Sequence, residues 1–161
     1  MALGDIQVFE EASFGYPGDE EYAVAISATL INAGEPVAKA LGAAVVTPMA
    51  TNKPVVGTDY LAGVAATTST NTASAAGTVK VTKLVPGVVY LIKPNNAALW
   101  DTQSEYNALV GARVRIDLTA GSYTILATDN STYGCVIMPL DISKHPGQVA
   151  FSFRNGVSYL A

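Results

Sequence analysis

Residues whose types could do chemistry are few and scattered. Cys135 is the only cysteine and His145 the only histidine in 161 residues. One thiol excludes an internal disulfide and a multi-cysteine zinc site. In the run Gly134-Cys135-Val136-Ile137-Met138 it reads as a small buried hydrophobe rather than a nucleophile. His145 precedes Pro146-Gly147 and reads as a loop residue, although any Ser-His-Asp arrangement would need it as the base. A transition-metal site would have to gather carboxylates around that one imidazole, and no ligand spacing suggests one. Neither G-x-x-x-x-G-K-[ST] nor G-x-G-x-x-G occurs, so no phosphate-cradling loop is expected, and the G-x-S-x-G elbow is also missing. Glycoside chemistry needs two carboxylates facing each other across a cleft. The adjacent pairs Glu10-Glu11 and Glu20-Glu21 read as solvated charge, and Asp59, Asp101, Glu105, Asp117, Asp129 and Asp141 show no paired spacing. Arg113 and Arg115 share one face of a strand. They would either grip a partner's carboxylate, as a possible inter-subunit contact, or form a solvated strand face. The expectation is a protein that is not an enzyme, with no cofactor and no metal.

Charge is unevenly spread. Residues 1–38 hold seven acids and no Lys or Arg, giving −7; residues 39–161 hold nine basic and six acidic residues, giving +3, and the sum is the net −4. The downstream basic excess is small and dispersed, so no nucleic-acid partner is expected. Half of the residues are hydrophobic and 14% are charged, which argues against disorder throughout. The uninterrupted apolar stretches fall far short of the ~20 residues a membrane span needs, so no membrane partner is expected. Met1-Ala2-Leu3-Gly4-Asp5 lacks a basic region and apolar block, and a soluble chain without an N-terminal address is expected.

The elements that must position these groups are short strands. A mass of 16.6 kDa suits one domain. Residues 1–22 combine acids with Phe9, Phe14 and Tyr16 and show no sustained period, which suggests an extended acidic N-terminal arm. Residues 23–161 then form a single β-rich domain. Strand-like runs are 22–26, 36–38, 43–46, 60–65, 78–82, 88–92, 113–118, 122–126, 135–138 and 149–153, with Asn155-Gly156 as a tight-hairpin pair. One short helix is expected over Thr102–Gly111. Asp101 or Thr102 would cap it, Tyr106, Leu109 and Val110 would face the core, and Gly111 would stop it. Residues 65–77 are rich in Ala, Thr and Ser and read either as a floppy loop or as a close-packed or exposed surface. The fold class is mainly β, a compact β-barrel or β-sandwich.

Three segments carry a resemblance: Ala33-Gly34-Glu35-Pro36-Val37, then Tyr60 to Thr70 continuing through Gly77-Thr78-Val79-Lys80-Val81, then Leu84-Val85-Pro86-Gly87-Val88-Val89-Tyr90. Over about residues 30–92 the chain resembles the head decoration, or capsid cement, proteins of tailed bacteriophages. The resemblance implies a non-enzymatic structural protein of the virion, made in the host cytoplasm and bound in many copies to the outer surface of the expanded capsid. There it would stabilise contacts between capsomers. The implied partners are the major capsid protein and the chain itself, as a homotrimer, with dimers as the alternative.

Within that frame Phe9, Phe14 and Tyr16 would anchor the arm, since aromatic residues dominate interface energetics. Glu10, Glu11, Asp19, Glu20 and Glu21 would steer it onto basic surface, either the capsid or a neighbour's Arg113 and Arg115. The alternative function is a carbohydrate- or surface-binding module, such as a head fibre or adhesin, with Trp100 and tyrosines stacking on sugars.

Overall fold

A computed structural model describes residues 2–3, 6–10, 18–40, 42–49, 54–57, 59–84, 87–119 and 122–154. Short β-branched and aromatic runs, each cut by Gly, Pro or Asn, give the strands β1 (Ala2–Leu3), β2 (Ile6–Glu10), β3 (Asp19–Val24), β4 (Pro36–Ala40), β5 (Thr47–Pro48) and β6 (Asp59–Ala65). They continue with β7 (Gly77–Thr82), β8 (Val89–Ile92), β9 (Arg113–Thr119), β10 (Ser122–Leu126), β11 (Cys135–Ile137) and β12 (Val149–Phe153). A seven-stranded sheet runs β1-β2-β8-β12-β11-β9-β10 and a five-stranded sheet runs β3-β7-β6-β4-β5. Every paired strand is antiparallel. Among the described residues neither sheet closes into a barrel, and the two sheets fit a β-sandwich. The large sheet does curl: Ile125 in β10 donates to the Lys93 carbonyl at 2.9 Å and accepts from the Asn95 N–H at 2.9 Å, an isolated parallel bridge rather than a ladder.

The larger core lies on the seven-stranded sheet around Tyr90, Phe151 and Ile137, and β6 contributes Leu61 and Val64 to it. Ala62 and Ala65 of the same strand point the other way, into a smaller cluster with Tyr22, Val24, Val79 and Val81. Leu61 and Val64 are three apart, which simple alternation would put on opposite faces. A register shift opposite Val37 and Ala38 supplies the extra residue, with Gly63 at φ 152°.

The described part of the expected arm is built into these sheets. Gln7 of β2 stands opposite Leu91 of β8, and Asp19–Val24 pairs along its whole length with β7. The expected boundary after Tyr22 therefore falls inside a strand. Tyr22 and Val24 are buried while Asp19, Glu21 and Ala23 are exposed, so Asp19 and Glu21 occupy the wet side of an edge strand, and the half-buried Glu20 lies on the same side as Tyr22, whose hydroxyl donates to it. Glu11, Phe14, Tyr16 and the Asn155-Gly156 pair lie outside the described residues. Residues 43–46 form no strand; Val46 packs on the smaller cluster and its N–H bonds the Ala23 carbonyl at 3.0 Å.

The helix α1 covers Gln103–Leu109, with Thr102 as its cap accepting from the Glu105 N–H. The Thr102 hydroxyl donates to the Glu105 carboxylate at 2.7 Å. Gly111 follows at φ 86°, as a left-handed stop. Tyr106 is buried and Leu109 half-buried. Val110 is 38% exposed, contrary to expectation, because the chain leaves the helix at that residue (ψ 129°).

Candidate functional site

The Ala/Thr/Ser-rich stretch is an ordered part of the smaller sheet's surroundings. Ser69 and Asn71 are only 6% and 5% exposed. The Ser69 hydroxyl donates to Asn71 Oδ1 at 2.7 Å and accepts from the Ile31 N–H at 3.0 Å, while Asn71 Nδ2 donates to the Ala28 carbonyl at 2.8 Å. Backbone bonds complete the join: Ser69 N–H to Ile31 carbonyl at 2.8 Å, Gly34 N–H to Ala65 carbonyl at 2.7 Å, Ser27 N–H to Thr72 carbonyl at 3.0 Å. Two buried polar side chains thus fix residues 27–34 against 65–72, and satisfied buried polar groups of this kind specify one arrangement. The outer surface that results is small and mostly uncharged: Thr67, Thr68, Thr70, Thr72, Ala73, Ser74, Ala75 and Ala76 are exposed.

Beside it stand two exposed apolar side chains, Ile26 (53%) and Leu30 (49%). A groove of about 590 Å³ runs from Leu30 past Pro48 and Met49 to Leu118 and Tyr123, with Glu35 at its edge. The Tyr123 hydroxyl donates to the Met49 carbonyl at 3.1 Å, tying the two sheets together at the groove floor. The expected strand 22–26 puts Ile26 in phase with Tyr22 and Val24, but β3 ends at Val24 and Ile26 is left exposed, while Leu30 carries no signal apart from its neighbour Ile31, which is fully buried.

A second feature is the corner where β9 meets the turn before β11. Arg113 is used inside the chain: its Nε donates to Asp129 Oδ1 at 3.2 Å, and its main-chain N–H donates to the same oxygen at 2.7 Å. The Arg113 guanidinium holds the Asp129 carboxyl below the usual carboxylate range. Arg115 instead lies over the Tyr133 ring, 5.0 Å from its centroid, and donates to the Tyr133 hydroxyl at 3.0 Å. Arg154 bonds the Ser131 and Tyr133 carbonyls at 2.8 and 3.0 Å, bracing the same turn. Tyr133 and Arg154 carry no sequence signal, and Asp129 stands only among acids without paired spacing, because nothing local shows that the turn after Asp129 gathers two arginines and a tyrosine.

Asp129 titrates in a direction that can be checked. Its folded-state pKa is depressed, so its contribution is present at neutral pH and is lost as pH falls through the folded value. Asp129→Asn is expected to unfold at slightly lower urea than wild type at pH 7 and at the same urea at pH 2. Equal midpoints at both pH values would mean the pair contributes nothing, as many exposed ion pairs do.

The acids of β3 are also partly committed. Asp19 Oδ1 accepts from the Thr82 hydroxyl at 2.6 Å. Glu20 binds Lys83 and the Tyr22 hydroxyl, which lower its pKa in that order. Glu21 faces Lys80 across the strand pair and is exposed. Phe9 and Glu10 are the last two residues of β2.

Trp100 is 5% exposed and packs edge-on against Tyr106 with ring centroids 5.7 Å apart, so its indole face offers no platform for a sugar. Cys135 is fully buried, and burial pushes its thiol pKa up, away from reactivity. Among the described residues no three His, Cys, Asp or Glu side chains gather to hold a metal ion, and no helix is long and apolar enough to cross a membrane. The distinctive surface of the described molecule is therefore an uncharged, small-residue face with an apolar ridge and groove at its side. Compared with protein-family models, curated proteins and solved structures, the chain matches none of them.

Proposed function

We propose that this protein is a structural component of a bacteriophage virion, a decoration or cement protein that binds the outside of the expanded head and stabilises contacts between capsomers. The observation that carries the reading is the way the residues of the resemblance come together. Segments 33–37, 60–70 and 77–81 are apart in sequence, yet they form β4, β6 and β7 and the ordered stretch that joins the last two strands. Gly34 and Glu35 bond Ala65 on both its polar groups, at 2.7 and 2.8 Å, so the residues of the resemblance make one contiguous part of the smaller sheet, with its strands largely buried and Thr67, Thr68 and Thr70 on the outside.

That surface suits attachment to a protein shell. Small side chains allow close backbone approach, and many weak copies held on one lattice bind tightly through effective concentration rather than through one strong interface. Arg115, stacked on Tyr133 and hence pre-organised, is the basic group placed to receive a partner's carboxylate, since Arg113 already has Asp129.

The test is co-sedimentation of the purified chain with expanded, undecorated capsids, titrated to saturation. Co-pelleting is expected to saturate at a fixed ratio to the major capsid protein, and that ratio separates three-fold from two-fold sites. A chain that stays in the supernatant at every ratio would remove the cement reading and leave the fold untouched.

A further inference from the structure

We propose that the groove beside Leu30 is a docking site for a basic segment of a partner protein, one that carries a lysine or arginine next to a large apolar side chain. The groove, about 590 Å³, has the exposed Leu30 and Leu118 as walls and the buried Met49 and Tyr123 as its floor. Glu35 is the one charged residue that lines it. It is half-buried, and its carboxylate oxygens accept from the Asn32 N–H at 2.9 Å and from Asn32 Nδ2 at 3.1 Å. Both donors are neutral amides, so they aim the carboxylate and leave its charge in place. Among the described residues no cation pairs with it. A half-buried charge beside apolar walls has lost part of its hydration and gained no counter-charge. A cation brought by a partner supplies one.

Charge and shape select the occupant together. The chain carries a net −4, so its field attracts a basic partner and repels another acidic surface, a second copy of itself included. Lysine and arginine join a long apolar stem to a charged head. With the head on Glu35 the stem lies along Leu30 and Met49, and the neighbouring apolar side chain fills the end towards Leu118 and Tyr123. The groove lies within the ~300–1,000 Å³ range of pockets that enclose drug-sized molecules, so it has room for both side chains.

The wall that bears Leu30 is in place before a partner arrives. The Ser27 hydroxyl donates to the Ala73 carbonyl at 2.8 Å, Asn71 Nδ2 to the Ala28 carbonyl at 2.8 Å, and the Ile31 N–H to the Ser69 hydroxyl at 3.0 Å. Such pre-organisation leaves little ordering to be done on binding. The site stands apart from the capsid reading and does not depend on it.

Titration of the isotope-labelled full chain with the peptide acetyl-Leu-Lys-Leu-amide, followed through its amide chemical shifts, tests the proposal. Saturable shifts are expected at residues 28–35, 47–49 and 118. Acetyl-Leu-Glu-Leu-amide is expected to bind about 10-fold more weakly or worse, because it sets like charges together. Glu35→Gln keeps an acceptor for Asn32 and is expected to weaken the lysine peptide about 3- to 5-fold, the size of a partly exposed ion pair. Raising salt to about 0.5 M is expected to weaken it as well, since the attraction is screened. Should Glu35→Gln disturb the turn at Asn32, Leu118→Ser is the second variant, and it is expected to weaken the lysine peptide by removing a wall. Equal affinity for the two peptides overturns the proposal. So do an absence of binding, shifts that fall elsewhere, and a lysine peptide indifferent to both variants. Binding that strengthens with salt assigns the groove to a purely apolar occupant and overturns it too.

Discussion

Gly63→Ala and Gly77→Ala are expected to be among the most destabilising single-methyl changes available in this chain. At Gly77 an added Cβ would sit 2.1 Å from the Asn71 nitrogen and 2.5 Å from the Thr70 carbonyl carbon, both backbone atoms that no rotamer change can move aside. At Gly63 it would sit 2.1 Å from the Thr82 carbonyl oxygen, and φ there is +152°, which side-chain-bearing residues rarely adopt. Overpacking costs about 1–3 kcal/mol and sometimes more, and a sparsely populated backbone conformation adds about 1–3 kcal/mol. About 2–3 kcal/mol is therefore expected at Gly77 and about 3–5 kcal/mol at Gly63, against a whole-domain stability of about 5–15 kcal/mol.

Urea unfolding at pH 7 checks this, with Gly18→Ala as the control. Gly18 has open space around it, and its substitution should stay within about 0.5 kcal/mol of wild type. A Gly77→Ala midpoint equal to that of Gly18→Ala would show that 70–71 yields freely. The consequence would reach the surface, because Asn71 is the residue that bonds the Ala28 carbonyl and so fixes the segment bearing Leu30.

Most of the strands were legible in the sequence because they obey the simplest rule, alternation over a run bounded by turn residues. Val114, Ile116 and Leu118 illustrate both its reach and its limit: the first two are fully buried, while Leu118 is 39% exposed at the groove. The β class and the helix followed from such local signals. What was not legible depended on pairing across distance. Asp19-Glu20-Glu21 looked like arm because acids dominate composition, yet Tyr22 and Val24 share one face with the smaller cluster and draw the acids into β3. The 65–77 stretch read either as a floppy loop or as a close-packed or exposed surface, because its small residues carry no periodic core signal. Its order comes from Ser69 and Asn71 meeting residues about 40 positions earlier, which no window of sequence contains. Arg113 and Arg115 were placed together by spacing, but their different fates were decided by Asp129 and Tyr133. The ridge at Ile26 and Leu30 became visible only once the rest of the apolar set had been assigned to a core.

Tyr106→Phe removes one oxygen atom and is nevertheless expected to cost about 2–3 kcal/mol, because that oxygen serves two main-chain groups in the core. Tyr106 is fully buried; its hydroxyl donates to the Met138 carbonyl at 2.9 Å and accepts from the Ala150 N–H at 2.9 Å. It thereby ties α1 to β12 and to the segment leaving β11, and phenylalanine would leave both main-chain groups without this partner. With the slopes usual for urea, about 1–3 kcal/mol per molar, the midpoint should fall by about 1–2 M.

The same group predicts an alkaline signature. Burial pushes the Tyr106 pKa up to about 12, whereas an unfolded tyrosine ionises near 10. Between those values the unfolded chain releases a proton that the folded chain retains, so this contribution is fully present below pH 10 and is lost as pH rises towards 12. Cys135, also pushed up by burial, acts in the same direction but is common to both proteins. The stability difference between wild type and Tyr106→Phe should therefore be constant from pH 7 to 9 and shrink from pH 10 to 12. A difference that stays constant up to pH 12 would show that the hydroxyl ionises as readily in the folded core as in water, and that the Met138–Tyr106–Ala150 link is open to solvent.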